Sequence, residues 1–220
     1  LANGATRSVG NSYREGAGGG VWCESVSAVV SNCILTGNSA YEGGGACYGT
    51  LNRCTLTDNT ADGGGGALYA ALNHCVLTGN SAEYGGGANQ STLNHCLILG
   101  NSAIDNGGGA SGSTLNNCTL IGNSAGEYGG GAHYSTLNNC ILYYNARGNF
   151  YNAPFSGASL NYCCTTPQPL SGVGNITLEP QFVDRAAGNL RLRSHSPCIN
   201  AGNNAYTSSD TDLDGHPRII

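Results

Sequence analysis

One phrase, repeated along the chain, limits what this sequence can fold into. Leu51-Asn-Arg-Cys54, Leu72-Asn-His-Cys75, Leu93-Asn-His-Cys96, Leu115-Asn-Asn-Cys118, Leu137-Asn-Asn-Cys140 and Leu160-Asn-Tyr-Cys163 are copies of it, and Val30-Ser-Asn-Cys33 is a looser one. From Cys33 to Cys163 the interval between successive copies is nearly constant, lengthening only slightly towards the end. Such a period marks an array of stacked units, each too small to bury a core alone. Two further landmarks keep phase with the cysteine. Five residues after it stands an asparagine: Asn38, Asn59, Asn80, Asn101, Asn123 and Asn145. A glycine run follows, at 43–45, 63–66, 85–87, 107–109 and 129–131, with a degenerate first copy in Asn11 and glycines 18–20.

Between landmarks the apolar spacing is two. Cys75 and Leu77 alternate with Val76 and Thr78, and Cys96 and Ile98 with Leu97 and Leu99. Short alternating runs bounded by Gly and Asn read as strands, and the glycine runs would break any helix. A unit of about 21 residues suits one coil of short strands whose equivalent residues stack at roughly 4.8 Å. The expected fold is therefore all-β: a right-handed parallel β-helix of about seven coils, the hand following the general rule for parallel crossovers. Leu51, Leu72, Leu93, Leu115 and Leu137 should form one interior stack, and Leu56, Leu77, Ile98, Leu120 and Leu142 another. The asparagines should form a hydrogen-bonded ladder at a corner, where Asn tolerates a left-handed backbone.

Residues 1–164 are expected to hold the coils, with 33–146 the most regular. Residues 165–220, where the period is lost and five of the six prolines fall, should form an irregular cap over the last coil's open edge. The chain has no methionine and opens in mid-phrase, so we expect it to be a processed piece of a longer secreted protein.

Eleven cysteines in a small secreted chain would ordinarily imply a disulfide framework. Seven of them, Cys33, Cys54, Cys75, Cys96, Cys118, Cys140 and Cys163, share one interior ladder. Stacked residues have parallel Cα–Cβ vectors, poor geometry for a disulfide. They are read as free thiols serving as small hydrophobes. A row does not supply the convergent ligands of a metal site either. Among the rest, Cys164 with Cys198 could staple the tail to the last coil, and Cys23 with Cys47 could link adjacent coils.

The tail carries a family resemblance. Glu179-Pro-Gln-Phe-Val-Asp184, Gly188-Asn-Leu-Arg-Leu192, Ser196-Pro-Cys-Ile-Asn-Ala-Gly202 and Asp212-Leu-Asp-Gly-His-Pro-Arg-Ile219 follow one another in that order. This resembles the C-terminal region of bacterial "choice-of-anchor Q" β-helix proteins, and the Gly-Gly-Gly-Ala and Asn-Ser-Ala coils are similar to those that precede it there. The resemblance implies a large secreted or surface-displayed bacterial protein, mostly without an assigned activity.

Net charge is −5, all eight basic residues are arginine, and no basic cluster exists, so a nucleic-acid partner is not expected. No apolar run approaches a membrane span. The loop before each glycine run carries one acid: Glu15, Glu42, Asp62, Glu83, Asp105 and Glu127, with Tyr41, Tyr84 and Tyr128 beside three of them. Stacked, these give an acidic, partly aromatic stripe that could meet an extracellular glycan or Ca²⁺, or be a solvated edge that deters lateral pairing. Asp210, Asp212 and Asp214, followed by Gly215, match the opening of a calcium loop and equally a turn capped by carboxylates. Arg53, His74 and His95 should stack as exposed polar residues before the cysteine.

Outward strand positions carry Ile34, Thr55, Val76, Leu97, Thr119 and Ile141, with Leu99, Ile121 and Tyr143 two residues on, a flat semi-apolar face open to a partner, to another copy or to the tail. Paired acids flanking a sugar bond are absent from these strands, and no lysine can act as base. No cofactor is required. The expected function is a non-enzymatic structural or adhesive segment, outside the cell or on its surface, which could associate end to end into a filament. The alternative is a carbohydrate-active β-helix: a polysaccharide lyase, a glycosidase or a glycan-binding protein.

Overall fold

In a computed structural model, which describes residues 1–5, 15–152 and 159–207, the chain winds as a parallel solenoid of about seven coils. Three sheets of seven strands and one of four run along it, all of their pairings parallel. The first face runs from Ile34–Thr36 to Cys164–Thr165, and the second from Thr60–Gly63 to Ser124–Ala125. The third runs from Val21–Trp22 to Phe150–Tyr151, and the fourth from Val29–Ser31 to Leu160–Asn161.

One coil explains the rest. After Thr55–Thr57 the chain turns at Asp58 (φ 54°), after Thr60–Gly63 at Gly64 (66°), after Ala67–Leu68 at Tyr69 (52°) and after Ala71–Asn73 at His74 (54°). Each corner is a single residue in the left-handed region, so the coil has four sides. Successive left-handed corners lie six, five, five and five residues apart here, at Asp58, Gly64, Tyr69, His74 and Gly79. In the coil from Gly100 the corners are Gly107, Gly112, Asn117 and Gly122, so only the second side has lengthened. The first lengthening of the repeat is thus absorbed on the second face, where the register between Ser81–Tyr84 and Ser102–Asn106 shifts around Ile104.

The ladder asparagines are not the left-handed residues. That conformation falls one position earlier, on Gly37, Asp58, Gly79, Gly100, Gly122 and Tyr144. The asparagine is instead the first residue past the corner, with its side chain turned inward. The Asn59 amide N–H and Nδ2 both donate to Asn80 Oδ1, at 3.0 and 2.9 Å, and Nδ2 also donates to the Leu35 carbonyl at 2.9 Å. A dry corner leaves backbone amides that strands cannot satisfy, and the Asn side chain supplies the missing acceptor.

The cysteine ladder consists of free thiols packed in the apolar core, as read from the sequence, and it does the same hydrogen-bonding work as well. The N–H of Cys54, Cys75, Cys96 and Cys118 each donates to the next coil's Sγ at 3.4 Å. The thiols donate in turn to carbonyls, Cys75 Sγ to Leu51 O at 3.4 Å for example. All seven are free and lie at the corner preceding the first face. A third ladder went unread in the sequence: Ala70, Ser91 and Ser113 donate their N–H to Ser91, Ser113 and Ser135 Oγ at 3.1 Å. A fourth, on the outer surface, links Asn52, Asn73, Asn94, Asn116, Asn138 and Asn161 by side-chain amide bonds of 2.9–3.0 Å.

The core is narrow. Each regular coil contributes one large aliphatic side chain from the first face, one Leu from the fourth, one Ala from the third and the corner cysteine. Both predicted leucine stacks are fully enclosed. At about 1.5–3 kcal/mol for each fully buried aliphatic side chain, two per coil is the main stabilising contribution.

Past the last regular coil the ladders continue for one more rung. Asn149 Oδ1 accepts from the Asn145 N–H and Nδ2 at 3.1 Å, and Asn175 Oδ1 accepts from the Cys163 N–H at 2.9 Å. Ile176 bridges to Cys164 as a further partial rung. Beyond it, Phe182–Asp184 and Asn189–Leu192 pair as an antiparallel hairpin, and a short 3-10 turn spans Asn204–Tyr206.

Candidate functional site

The second face and its edge carry the acids. Here the strand ends one residue before the left-handed glycine, which pushes the preceding side chains outward. Asp62 N–H donates to Tyr41 O, and Glu127 N–H to Asp105 O. The acidic row is therefore Asp62, Glu83, Asp105 and Glu127, with Tyr41 in the equivalent place of the first regular coil. Glu42 stands one position further on, paired with Gly63, and that second row continues through Tyr84, Asn106 and Tyr128. The Tyr-Glu order at 41–42 against Glu-Tyr at 83–84 and 127–128 was the available sequence signal. Hydrogen bonds to the Asp105 and then the Glu83 carboxylate push the Tyr84 phenol up to about 12. Burial raises the Glu42 carboxyl, whose Oε2 is enclosed without a hydrogen bond.

The third face, beside this edge, turns its alanines into the core and the residue after each of them outward. Cys47 and Leu68 are buried there beneath Trp22 and Tyr48, with Ala17 completing a small apolar cluster outside the main core. Tyr48 stacks on Tyr69 at 5.3 Å between ring centroids. Towards the last coils the face becomes aromatic. Tyr151 stacks on Tyr128 at 4.6 Å and on His133 at 5.6 Å, and lies 5.8 Å from Tyr134. His133 in turn lies 4.1 Å from Tyr134 and 3.4 Å from Ser111 Oγ through Nδ1. Tyr128 and Tyr134 are 50% and 43% exposed, so the group opens to solvent. Burial depresses the His133 pKa, which favours its neutral ring. Of this group, sequence reasoning picked out only Tyr128, because Tyr151 joins Tyr128, His133 and Tyr134 only through stacking of the next coil.

The first face is not a free apolar sheet along its whole length. Ile34 remains exposed, while Ile121 and Tyr143 are buried, and the Tyr143 hydroxyl donates to Thr177 O of the tail at 2.6 Å. The tail also takes Asn117 and Asn139 as anchors, which donate to Tyr206 O at 2.8 Å and Asn203 O at 2.9 Å. His74 and His95 do stack, at 4.9 Å, but His95 is buried rather than exposed. Arg185 lies over the Tyr144 ring at 4.1 Å, and the Tyr144 hydroxyl bonds to Glu179.

Among the described residues no three His, Cys, Asp or Glu side chains converge on a point. Asp210, Asp212 and Asp214 lie outside the described residues. Among the described residues, no helix is long and apolar enough to cross a membrane.

Two of the coils match a known repeat. Residues 32–50 and 53–71 are similar to the repeat of the Chlamydia polymorphic membrane proteins. Each match starts within the corner before the first face, at Asn32 or Arg53, and takes in the ladder Asn, the glycine run and the third face. No curated protein and no solved structure matches the chain. The repeat match and the coil stack together support a bacterial β-helix repeat protein.

Proposed function

We propose that this chain is a stiff adhesive segment of a surface-exposed bacterial β-helix protein, and that its partner is an extracellular glycan. The observation that carries this reading is the aromatic group of Tyr128, His133, Tyr134 and Tyr151 on the third face, with the carboxylate row along its edge. Tyrosine rings offer a flat apolar surface with a polar rim, suited to the C–H face of a sugar. Carboxylates at the margin accept hydrogen bonds from its hydroxyls. The repeat match to a polymorphic membrane protein supports display at the cell surface. Most backbone polar groups within the coils are tied into sheets and ladders, which suits a rigid spacer more than a moving catalytic cleft.

Immobilised chain applied to an array of polysaccharides should retain at least one class of them. Tyr128→Ala and Tyr151→Ala should each weaken that retention without lowering the melting temperature. Failure to retain any glycan, or retention indifferent to both substitutions, would overturn the reading. End-to-end association into filaments, and a calcium ion at Asp210, Asp212 and Asp214, belong to the same proposal. Electron microscopy with and without EDTA tests the association, filaments that dissolve in EDTA placing the ion at Asp210, Asp212 and Asp214 or at the acidic stripe, and Asp212→Asn distinguishes the two.

A further inference from the structure

Cys164 and Cys198 are set apart from the other nine cysteines by where they stand. The ladder thiols face carbonyls of their own stack, Cys96 Sγ reaching Leu72 O at 3.4 Å and Asn94 O at 3.3 Å, and their side chains run parallel. Cys47 pairs in register with Trp22, one residue away from Cys23, and the Cys23 thiol packs against Gly49 instead. Cys164, by contrast, lies in the last strand of the first face, and Cys198 comes from the tail. Both line a cavity of about 250 Å³ between tail and coils, together with Cys140, Ile141, Tyr162 and Ile176. The Cys164 thiol donates to Leu178 O at 3.1 Å, and Cys198 lines the same cavity from the tail side.

Cys198 is held there by local structure. Its N–H donates to Ser196 Oγ at 3.2 Å, Ser196 Oγ donates to Pro180 O, and the Ala201 N–H closes a turn onto the Cys198 carbonyl. Asn139 fixes the same segment a few residues on, its Oδ1 accepting from the Asn203 N–H at 2.8 Å. The two cysteines therefore face one cavity from two independently anchored elements.

We propose that Cys164 and Cys198 form a disulfide that locks the C-terminal tail onto the last coil. The oxidant is a small disulfide such as glutathione disulfide. Cys198 is the less enclosed of the two and opens onto the cavity, so its thiolate attacks one sulfur of the donor. The donor's S–S bond breaks, and one thiolate departs with the bonding pair. Cys164 then loses its proton and attacks Cys198 Sγ. The second donor thiolate leaves, so two thiols are oxidised and one donor disulfide is reduced to two thiols. The hydrogen bond from Cys164 lowers the Cys198 thiol, while that bond and burial raise Cys164, the ordering such an exchange needs. The lock does not depend on the adhesive reading.

The test uses the whole chain, incubated with a glutathione redox buffer, alkylated without reductant and mapped by mass spectrometry. The expected product is a peptide joining Cys164 to Cys198, lighter by two hydrogens, with the ladder cysteines alkylated only after denaturation. Limited proteolysis within residues 176–207 should slow about tenfold on oxidation and return with reductant. Cys198→Ser, which keeps the turn, should abolish both effects. Comparing oxidised and reduced wild-type chain keeps the test valid if that variant misfolds. Both cysteines staying free after oxidation, Cys198 stopping at a mixed disulfide, or its joining any cysteine other than Cys164 would overturn the proposal.

Discussion

Asn, Cys and Ser meet the same demand at three corners of one coil. One residue past each left-handed corner a backbone N–H points along the axis into a dry interior, and the next coil's side chain must accept from it. Oδ1, Sγ and Oγ do so at 2.9–3.0, 3.4 and 3.1 Å. Sulfur is a weak acceptor, but an empty site would strand the donor at a cost of about 1–3 kcal/mol. Cys96→Ser should therefore be tolerated better than Cys96→Ala, by about 1 kcal/mol, because serine already fills this role at residues 91, 113 and 135. Thermal unfolding followed by circular dichroism should rank wild type, then Ser, then Ala. If Ala outranked Ser, the ladder would be a row of hydrophobes after all.

Most of the same thiols give a pH dependence of one sign, Cys75 being the exception, lowered by its hydrogen bond with Cys96. Burial raises Cys96, Cys118, Cys140 and Cys163 above their ordinary value of 9.0, and Cys47 to about 12. The folded chain thus keeps protons that the unfolded chain releases near pH 9. This stability is complete below that value and is lost as pH rises through the interval up to the folded pKa, by about 1.4 kcal/mol per pH unit per thiol. Denaturation midpoints between pH 7 and 10.5 should fall steeply above about pH 9 under reducing conditions. The Cys96→Ser, Cys118→Ser double variant should show a shallower fall, and equal slopes would remove the thiols as its cause.

At the scale of elements, each glycine run sets how tightly two coils approach. A Cβ on Gly66 would stand 2.4 Å from the Gly87 carbonyl oxygen and 3.2 Å from Asn80 Nδ2, neither of which can withdraw without breaking the stack. Gly122, unlike Gly66, is left-handed, at φ 66°, and has open space where its Cβ would be. Gly66→Ala should cost about 3 kcal/mol or more, and Gly122→Ala about 1–2 kcal/mol of backbone strain alone. Chemical denaturation of the two variants would show a reversed order if the corner, not the close approach, governed glycine use.

Which elements form was legible in the sequence, because strands of two to five residues between Gly and Asn leave a period-two pattern that little else produces. Which residue turns the corner was not. Asp58, Tyr69 and His74 carry no common chemistry, and a left-handed φ at such residues is imposed by coil closure instead of by preference. The acidic edge was half legible: its acids recur once per coil, but the one-residue offset of Glu42 follows only from counting back from the left-handed glycine. The aromatic group was illegible, since Tyr128, His133, Tyr134 and Tyr151 belong to separate coils or separate faces.

At the scale of the whole molecule, a solenoid whose coils contact only their neighbours should lose one without losing the fold. Removing residues 75–95 takes out one full period and joins His74 directly to Cys96. Asn59 then meets Asn101, Leu72 still precedes the corner by two, and all four left-handed positions keep their phase. The anchors of the tail at Asn117 and Asn139 lie beyond the cut, so the closing end is untouched. The shortened chain should keep its β-sheet spectrum and unfold cooperatively, with a long dimension about 5 Å less by small-angle scattering. Removing residues 75–93 instead shifts every later side by two positions against the corners, bringing inward side chains under left-handed turns. That variant should aggregate or unfold. If both deletions behaved alike, stability would reside in the tail's packing and not in the phase of the ladders. If only the full-period deletion survives, the coil is the unit on which the length of this spacer is set.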